Sequence, residues 1–324
     1  MQLSEWSVLL LLLKLASYIA IAGLAGTLLM RFMCGNSNVA GHHLISFYQF
    51  LKRWQITCVV TGSIAALLQV PIEAGAMAES GFMGMFDPFM LEIVWQSVIG
   101  DQATFRIPAL IIALISACMW SVESDDNVAG YKNVAVILIM LGFIAYSFTF
   151  TGHSANENGL VKSILTFHLI AIASWLGSLW PLYKSCTLLP TSEVKRLMHY
   201  FGQLAIVIVF VLLISGLTLL LQYLESFSAL FTSNYGQLIL LKLLLVCAML
   251  LLGAWHKLFL VPQITQQHHI SILKRSITVE IVIALFVLIT TSVFTTLVGP
   301  PSKMMTSSAS NLRAASRLPC FRYA

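Results

Sequence analysis

Two histidines and two methionines have the residue types and spacing of a metal site. His168 lies in the apolar string HLIAIASWLGSLW, and His153 lies fifteen residues earlier in FTGHSANENG. Neutral imidazole is a common ligand of copper and other late first-row metals. Met83 and Met85 form the motif MGM, and thioether sulfur suits Cu(I) and resists the oxidation that removes thiolate ligands. The four residues are therefore candidate copper ligands, with the two methionines expected on one side of an extended segment.

Each candidate ligand also has an ordinary structural interpretation. His168 could hydrogen-bond a backbone or serine group between helices, and His153 could be a solvated loop residue. Met83 and Met85 could be packed or lipid-facing, because methionine is a common filler of apolar surfaces. A haem with His168 as an axial ligand is a further alternative, although no other histidine lies at a matching depth for a bis-histidine haem.

The string around His168 also predicts how its helix packs. Trp175 follows His168 by seven residues, so the two side chains share one face of a helix. Gly177 and Ser178 come next, and small residues allow neighbouring membrane helices to approach closely. The sequence therefore predicts a packed helix with His168 and Trp175 on one stripe.

Three charged residues lie inside apolar stretches, where charge is costly and often functional. Lys14 can extend towards the membrane surface. Lys242 lies one turn into its stretch, and Glu280 lies one to two turns into the last one. Each could pair with a neighbour or reach the interface, and Glu280 could also act as a gate or an inner ion site.

The composition requires a membrane to hold these residues. Of the 324 residues, 58% are hydrophobic and 10% are charged, and the mean hydropathy is +0.88. Ordinary soluble domains are about 45–50% apolar and about 25% charged. The chain is therefore not a soluble enzyme or a nucleic-acid reader, and it contains no nucleotide-binding or hydrolase motif. The six cysteines have no paired spacing and are expected to be free thiols.

Eight apolar stretches predict an all-α, polytopic membrane bundle, since spanning the bilayer takes about 20 apolar residues per helix and the runs are too continuous for barrel strands. The first stretch lacks a basic leading region and is expected to be retained rather than cleaved. The predicted spans are Trp6–Met30, Gln55–Pro71, Phe105–Trp120, Val134–Phe150, Leu160–Leu182, Phe201–Leu221, Leu238–Leu260 and Ile277–Val298.

Basic residues predict the orientation. The loops and flanks that follow the odd-numbered spans carry ten lysines and arginines, and the opposite ones carry three. Because basic loops stay cytoplasmic, both termini are expected to be periplasmic. The bundle is expected over residues 1–301, followed by a Ser/Ala-rich polar tail over 302–324 that is expected to be disordered. The basic residues of that tail disagree with its predicted outer side.

The longest predicted outer segment, Glu73–Thr104, contains five acidic residues and no lysine or arginine. A segment of one sign concentrates counter-ions, so it would attract cations. It is also apolar, which favours a short helix lying on the membrane surface.

Four strings resemble the copper resistance protein D (CopD) family in their order and spacing. TGHSANENGLVKSILTFHLIAIASWLGSLWPL resembles its GH…H-L-x-A-x-x-W-x-G-x-L signature, and VIGDQATFRIPALI resembles its G-x-x-x-x-x-R motif. SNYGQLILLKLLLVCAMLLLGAWHKLFLVPQI resembles its YG-x-x-L-x-x-K stretch, and LKRSITVEIVIALFVLITT resembles the basic-Ser-x-x-x-Glu start of its last helix. The similarity covers most of residues 90–300.

This resemblance implies an inner-membrane protein, not an enzyme, that handles copper. Family members are thought to move copper from the periplasm to the cytoplasm, often beside a small periplasmic copper-binding protein. The family's histidines correspond to His153 and His168, its aromatic residue to Trp175, its lysine to Lys242 and its acid to Glu280. A non-transporting membrane partner of a periplasmic copper protein remains the alternative. The expected partners are the lipid bilayer and a small periplasmic copper-binding protein, and neither nucleic acid nor a nucleotide is expected.

Overall fold

The structure is a computed structural model that describes residues 5–35, 42–78, 81–122, 128–151, 155, 157–223, 228–264 and 267–297. This part of the chain is all-α and contains no strand. The ten α-helices are α1 (Glu5–Cys34), α2 (His42–Ala78), α3 (Pro88–Trp95), α4 (Val98–Met119), α5 (Val128–Ser147), α6 (Gly159–Leu188), α7 (Thr191–Tyr223), α8 (Ala229–Thr232), α9 (Asn234–Trp255) and α10 (Gln267–Leu297).

Eight of these helices are long and apolar enough to cross a membrane, which confirms the predicted number of spans. They are α1, α2, α4, α5, α6, α7, α9 and α10. The helices begin earlier than predicted: α2 starts at His42 rather than Gln55, and α10 starts at Gln267 rather than Ile277. Hydropathy marks only the part of a helix in hydrocarbon, whereas the backbone stays helical through the polar residues beyond it.

The first and last spans pack side by side at one end of the bundle. The Ser292 hydroxyl donates to the carbonyl oxygen of Leu11 over 2.9 Å, and Lys14 Nζ donates to the carbonyl oxygen of Thr295 over 2.9 Å. We call this the outer end, since the charge count predicts that it faces the periplasm. Lys14 thus binds the last turns of α10.

Helices α1 and α6 cross at glycines in the centre of the fold. A Cβ atom added at Gly177 would overlap the backbone of Ala22, and one added at Gly26 would overlap the backbone of Gly177. Ser178 is fully buried at the same crossing. The predicted close contact at Gly177 and Ser178 is therefore confirmed, with α1 as the partner helix.

Three large apolar clusters form the core. One joins α1, α2, α6, α7 and α10 and so connects the two halves of the chain. Another joins α1, α2, α4, α5 and α6. A third joins α6, α7, α9 and α10, and includes Trp175 and Met249. Helices α7 and α9 also expose large apolar side chains such as Phe210 and Leu244, as expected for helices that face lipid.

The outer segment folds into short helices. A 3₁₀ helix, Gly81–Phe86, precedes α3, whose N-terminus is capped by the Asp87 carboxylate through the backbone N–H of Phe89 at 2.9 Å. The expected short helix is present, but the MGM motif is helical rather than extended. As a result Met83 is 77% exposed while Met85 is buried, so the expectation that both bind on one side of an extended segment is wrong.

Candidate functional site

His168 lies on α6, nine residues after the helix begins at the outer end. Its Nδ1 atom is 2.9 Å from the hydroxyl oxygen of Ser215 on α7. The Ser215 hydroxyl also lies 2.6 Å from the carbonyl oxygen of Val211. Both contacts are hydrogen bonds when the hydroxyl donates to that carbonyl and the serine oxygen accepts from His168 Nδ1–H. In that tautomer the lone pair is on Nε2, which has no hydrogen-bond partner among the described residues.

This arrangement combines the two interpretations of His168. The hydrogen bond to a serine between helices exists, as the structural interpretation requires. The same bond favours one tautomer and ring orientation, as second partners do for metal-binding histidines. The Nε2 atom of His168 is therefore free to serve as a ligand atom in the outer half of α6.

Lys242 of α9 lies close enough to His168 for their charges to interact. No hydrogen bond or ion pair joins Lys242 to another of the described residues. While it is protonated, Lys242 would repel a cation at His168.

Three residues on one face of α9 and its continuation lead towards the inner end of the bundle. Lys242, Met249 and His256 follow one another at seven-residue intervals, which is about 10.5 Å per step on one helix face. Met249 is 1% exposed and packs in the cluster that contains Trp175 of α6. We call these three residues the α9 stripe.

At its inner end the α9 stripe meets a buried carboxylate. His256 Nδ1 lies 3.2 Å from Glu280 Oε2 of α10, and the two side chains are 12% and 3% exposed. His256 Nε2 lies 2.6 Å from the hydroxyl oxygen of Ser276, one turn before Glu280. The pair therefore spans two helices and uses both nitrogens of the imidazole.

A π-helix positions His256. The segment His256–Leu260 continues α9, and the N–H of Val261 donates to the His256 carbonyl oxygen over 2.9 Å, five residues back. Such π turns are rare and are frequent at functional sites. The widened turn begins at the residue that contacts Glu280.

A second polar cluster, built on a guanidinium, lies in the first half of the chain. Arg106 of α4 is 3% exposed. Its Nε donates to the Ser147 hydroxyl over 3.0 Å and its Nη1 to Gln69 Oε1 over 3.4 Å. Gln102 donates to the Ser147 carbonyl oxygen over 3.0 Å, and the Arg106 guanidinium lies 4.1 Å from the centre of the Phe148 ring. These contacts tie α2, α4 and α5 together near the outer end.

The structure does not bring all the predicted ligands together. Met85 packs near Gly75 of α2 and Trp6 of α1, whereas His168 faces α7. His153 lies outside the described residues, as does the tail over 302–324. Within the described ranges no group of three or more His, Cys, Asp and Glu residues could hold a metal ion.

Comparison with known proteins identifies the family. A family model described as copper resistance protein D-like, N-terminal domain, matches residues 3–163, and the copper resistance protein D model matches residues 195–294. The chain belongs to the copper resistance protein D family. It is thus a multi-pass membrane protein of a copper resistance and transport family, which is not a known enzyme class. No solved structure matches the chain.

Two relatives are similar to the chain over most of its length. The chain is 30% identical to the copper transport protein CutJ of Bacillus subtilis (strain 168) over 259 residues, which cover 75% of the chain and 46% of CutJ. It is 26% identical to the inner membrane protein YebZ of Escherichia coli (strain K12) over 231 residues, which cover 66% of the chain and 72% of YebZ. The chain therefore spans less than half the length of CutJ.

Three residues within the strings that resemble the family were not predicted to be functional from the sequence. Met249 and His256 lie in the string that resembles the YG-x-x-L-x-x-K stretch, and Ser276 lies in the basic-Ser-x-x-x-Glu string. The signal that could have selected the first two is the seven-residue spacing from Lys242. Without it, Met249 reads as an ordinary apolar residue.

Proposed function

We propose that the protein binds copper at its periplasmic side and passes it to the cytoplasm. The observation that carries this proposal is the contact of His168 Nδ1 with the Ser215 hydroxyl, which also contacts the Val211 carbonyl oxygen. This pairing favours a proton on Nδ1 and an unprotonated Nε2 in the outer half of α6. Imidazole nitrogen in this form is a copper ligand.

The other predicted residues take places around this position. His153 would supply a second imidazole, and Met83, exposed on the outer segment, would supply a soft ligand before His168 is reached. Copper is the cargo in this scheme. Trp175 and Lys242 would line its path inward, and Glu280 would lie near the exit.

The family membership supports this proposal without specifying a direction. The family name refers to copper resistance, and CutJ is named a copper transport protein. The acidic outer segment would concentrate a cation at the outer face, which favours entry from that side. A small periplasmic copper-binding protein would deliver the ion to the outer segment.

The test is uptake of Cu(I) into vesicles that contain the purified protein, under a reductant. The His168→Leu variant should reduce uptake to the level of empty vesicles. The Ser215→Ala variant is the matched control, because it removes the same hydrogen bond and keeps the imidazole. A hydrogen bond between membrane helices is worth about 0.6 kcal/mol and at most ~1.7 kcal/mol, so this variant should still insert. Loss of the second partner of a metal-binding histidine weakens metal binding about 10–100-fold, so Ser215→Ala should keep more uptake than His168→Leu and less than the wild type.

The outcomes separate the alternatives. Equal loss of uptake in both variants would show that His168 acts only through its bond to Ser215. Copper binding by the wild type without any uptake would favour a non-transporting partner of a periplasmic protein. A Soret band in the absorbance spectrum of the purified wild type would favour a haem protein.

A further inference from the structure

We infer that His256 and Glu280 form a second cation site, in the inner half of the bundle, at which the cargo ion is held before release. Its ligands would be the imidazole Nδ1 and the carboxylate of Glu280. This inference rests on the proposed function and adds an inner site to it. Neither the family name nor the names of the relatives assign a role to either residue.

The distance between the two ligand atoms suits a shared metal ion. His256 Nδ1 and Glu280 Oε2 are 3.2 Å apart. Two ligands at about 2.0–2.2 Å from a tetrahedral first-row metal lie about 3.3 Å from each other. The ion could therefore enter between the two atoms without a change in the packing of α9 against α10.

The carboxylate also lacks another cation. Glu280 is 3% exposed, and its one ion pair among the described residues is with His256. The lysines nearest to it along the helices are directed elsewhere. Lys257 Nζ donates to the carbonyl oxygen of Gly202 over 2.9 Å, and Lys274 Nζ lies 3.4 Å from the Thr187 hydroxyl and 4.8 Å from the centre of the Tyr183 ring.

A buried carboxylate is stable only when it is paired. Within the described ranges, the charge that can balance it is either an imidazolium at His256 or a metal ion located between the two side chains. The pair is therefore a position that binds either a proton or a metal ion, and copper would compete for it.

Ser276 would hold the imidazole in place. Its hydroxyl oxygen lies 2.6 Å from His256 Nε2, so Nε2–H can donate to it while the Nδ1 lone pair faces Glu280. This is the usual pattern for a metal-binding histidine, whose other ring nitrogen donates to an oxygen. The π turn that begins at His256 fixes the backbone at the same point.

The site has the coordination expected for brief occupancy. It offers two protein ligands, and Met249, the nearest thioether on the α9 stripe, lies about 10.5 Å away along the helix. Carboxylate is a hard ligand that suits Cu(I) poorly. Conduction requires binding that is weak enough to allow release, and an incomplete, partly hard ligand set meets this requirement.

The test is the number of copper ions bound by the full-length chain in detergent, measured by competition with a chromophoric Cu(I) chelator. The Glu280→Gln and His256→Gln variants should each lose one bound ion and should lose uptake into vesicles. The matched control is His199→Gln, since His199 is exposed on α7 at the same end of the bundle and hydrogen-bonds only Gln203 among the described residues. It should keep both properties.

Two further measurements keep the inference falsifiable if Glu280→Gln fails to fold. The Ser276→Ala variant keeps both ligands and should bind the inner ion about 10–100-fold more weakly. In His168→Leu, Met83→Leu, Met85→Leu protein loaded with copper, X-ray absorption should report nitrogen and oxygen neighbours, and sulfur neighbours would overturn the assignment. Wild-type copper binding and uptake in both Glu280→Gln and His256→Gln would also overturn it while leaving the proposed function intact. Absence of uptake in the wild type would instead refute the proposed function.

Discussion

Replacing Gly177 by alanine should destabilise the bundle, although alanine is the better helix former. The added Cβ would overlap the carbonyl group of Ala22 on α1. The overlapping atoms belong to the backbone, so no side chain can rotate away. Helices α1 and α6 must separate at their crossing, and the apolar side chains on both sides of it lose contact.

The magnitude follows from two opposing effects. Overpacking of a tight core costs about 1–3 kcal/mol, and the helix preference of alanine over glycine returns at most about 1 kcal/mol. Gly142 of α5 is the matched control, because a Cβ added there meets no atom within 4 Å. The two variants should therefore differ by about 1–3 kcal/mol in the free energy of unfolding.

This difference can be measured as a difference in Tm. Each variant is heated in detergent, and size-exclusion chromatography gives the fraction of folded protein that remains at each temperature. At about 2–4 °C per kcal/mol, a difference of about 2 kcal/mol places the Tm of Gly177→Ala ~4–8 °C below that of Gly142→Ala. The Gly26→Ala, Gly177→Ala double variant should lose less than the sum of the single losses, because both substitutions open the same crossing. Equal Tm values for Gly177→Ala and Gly142→Ala would refute the packing argument.

Two further predictions concern the outer end. Reporter fusions at Lys195 and Lys274 should be cytoplasmic and a fusion at Asn158 periplasmic, because basic loops are retained inside; a cytoplasmic Asn158 would reverse the outer and inner ends. The Met83→Leu, Met85→Leu double variant should lower copper uptake into vesicles only partly, because one thioether is exposed and the other is buried. Complete loss of uptake would show that they are essential ligands.

The spans could be predicted from the sequence because lipid imposes one strong condition on them. Each must be apolar and must satisfy its own backbone hydrogen bonds, and all eight predicted stretches are helical in the structure. The helix ends could not be predicted in the same way. The segment His42–Trp54 contains lysine, arginine and histidine, which hydropathy treats as loop, yet it continues α2.

Which residues face each other was harder to predict than where the helices lie. The contact of His168 with Ser215 was expected in kind, as a bond to a serine, but the sequence could not say which serine. The contact of His256 with Glu280 was missed because it joins two helices. Helical spacing places His256 on one face of α9, but hydropathy does not say which face of α10 that side chain meets.

The ligand chemistry of the two halves of the bundle argues that the cargo passes through the second. In the first half the most buried charged groups are guanidiniums: Arg106 binds neutral acceptors, and Arg31 donates to Asn133 Oδ1 over 2.8 Å. A guanidinium has only donors, so it cannot ligate a cation. A second unit charge about 10 Å from Arg106 would be opposed by about 1.7 kcal/mol at an effective dielectric constant of about 20.

The second half instead places lone pairs along the bundle, on His168 in its outer part, Met249 at its centre, and His256 with Glu280 in its inner part. In the proposed scheme, Lys242 is the positive charge that influences His168, so while protonated it would oppose entry of a cation at the start of the path, whereas Arg106 would be a barrier with no ligand beyond it.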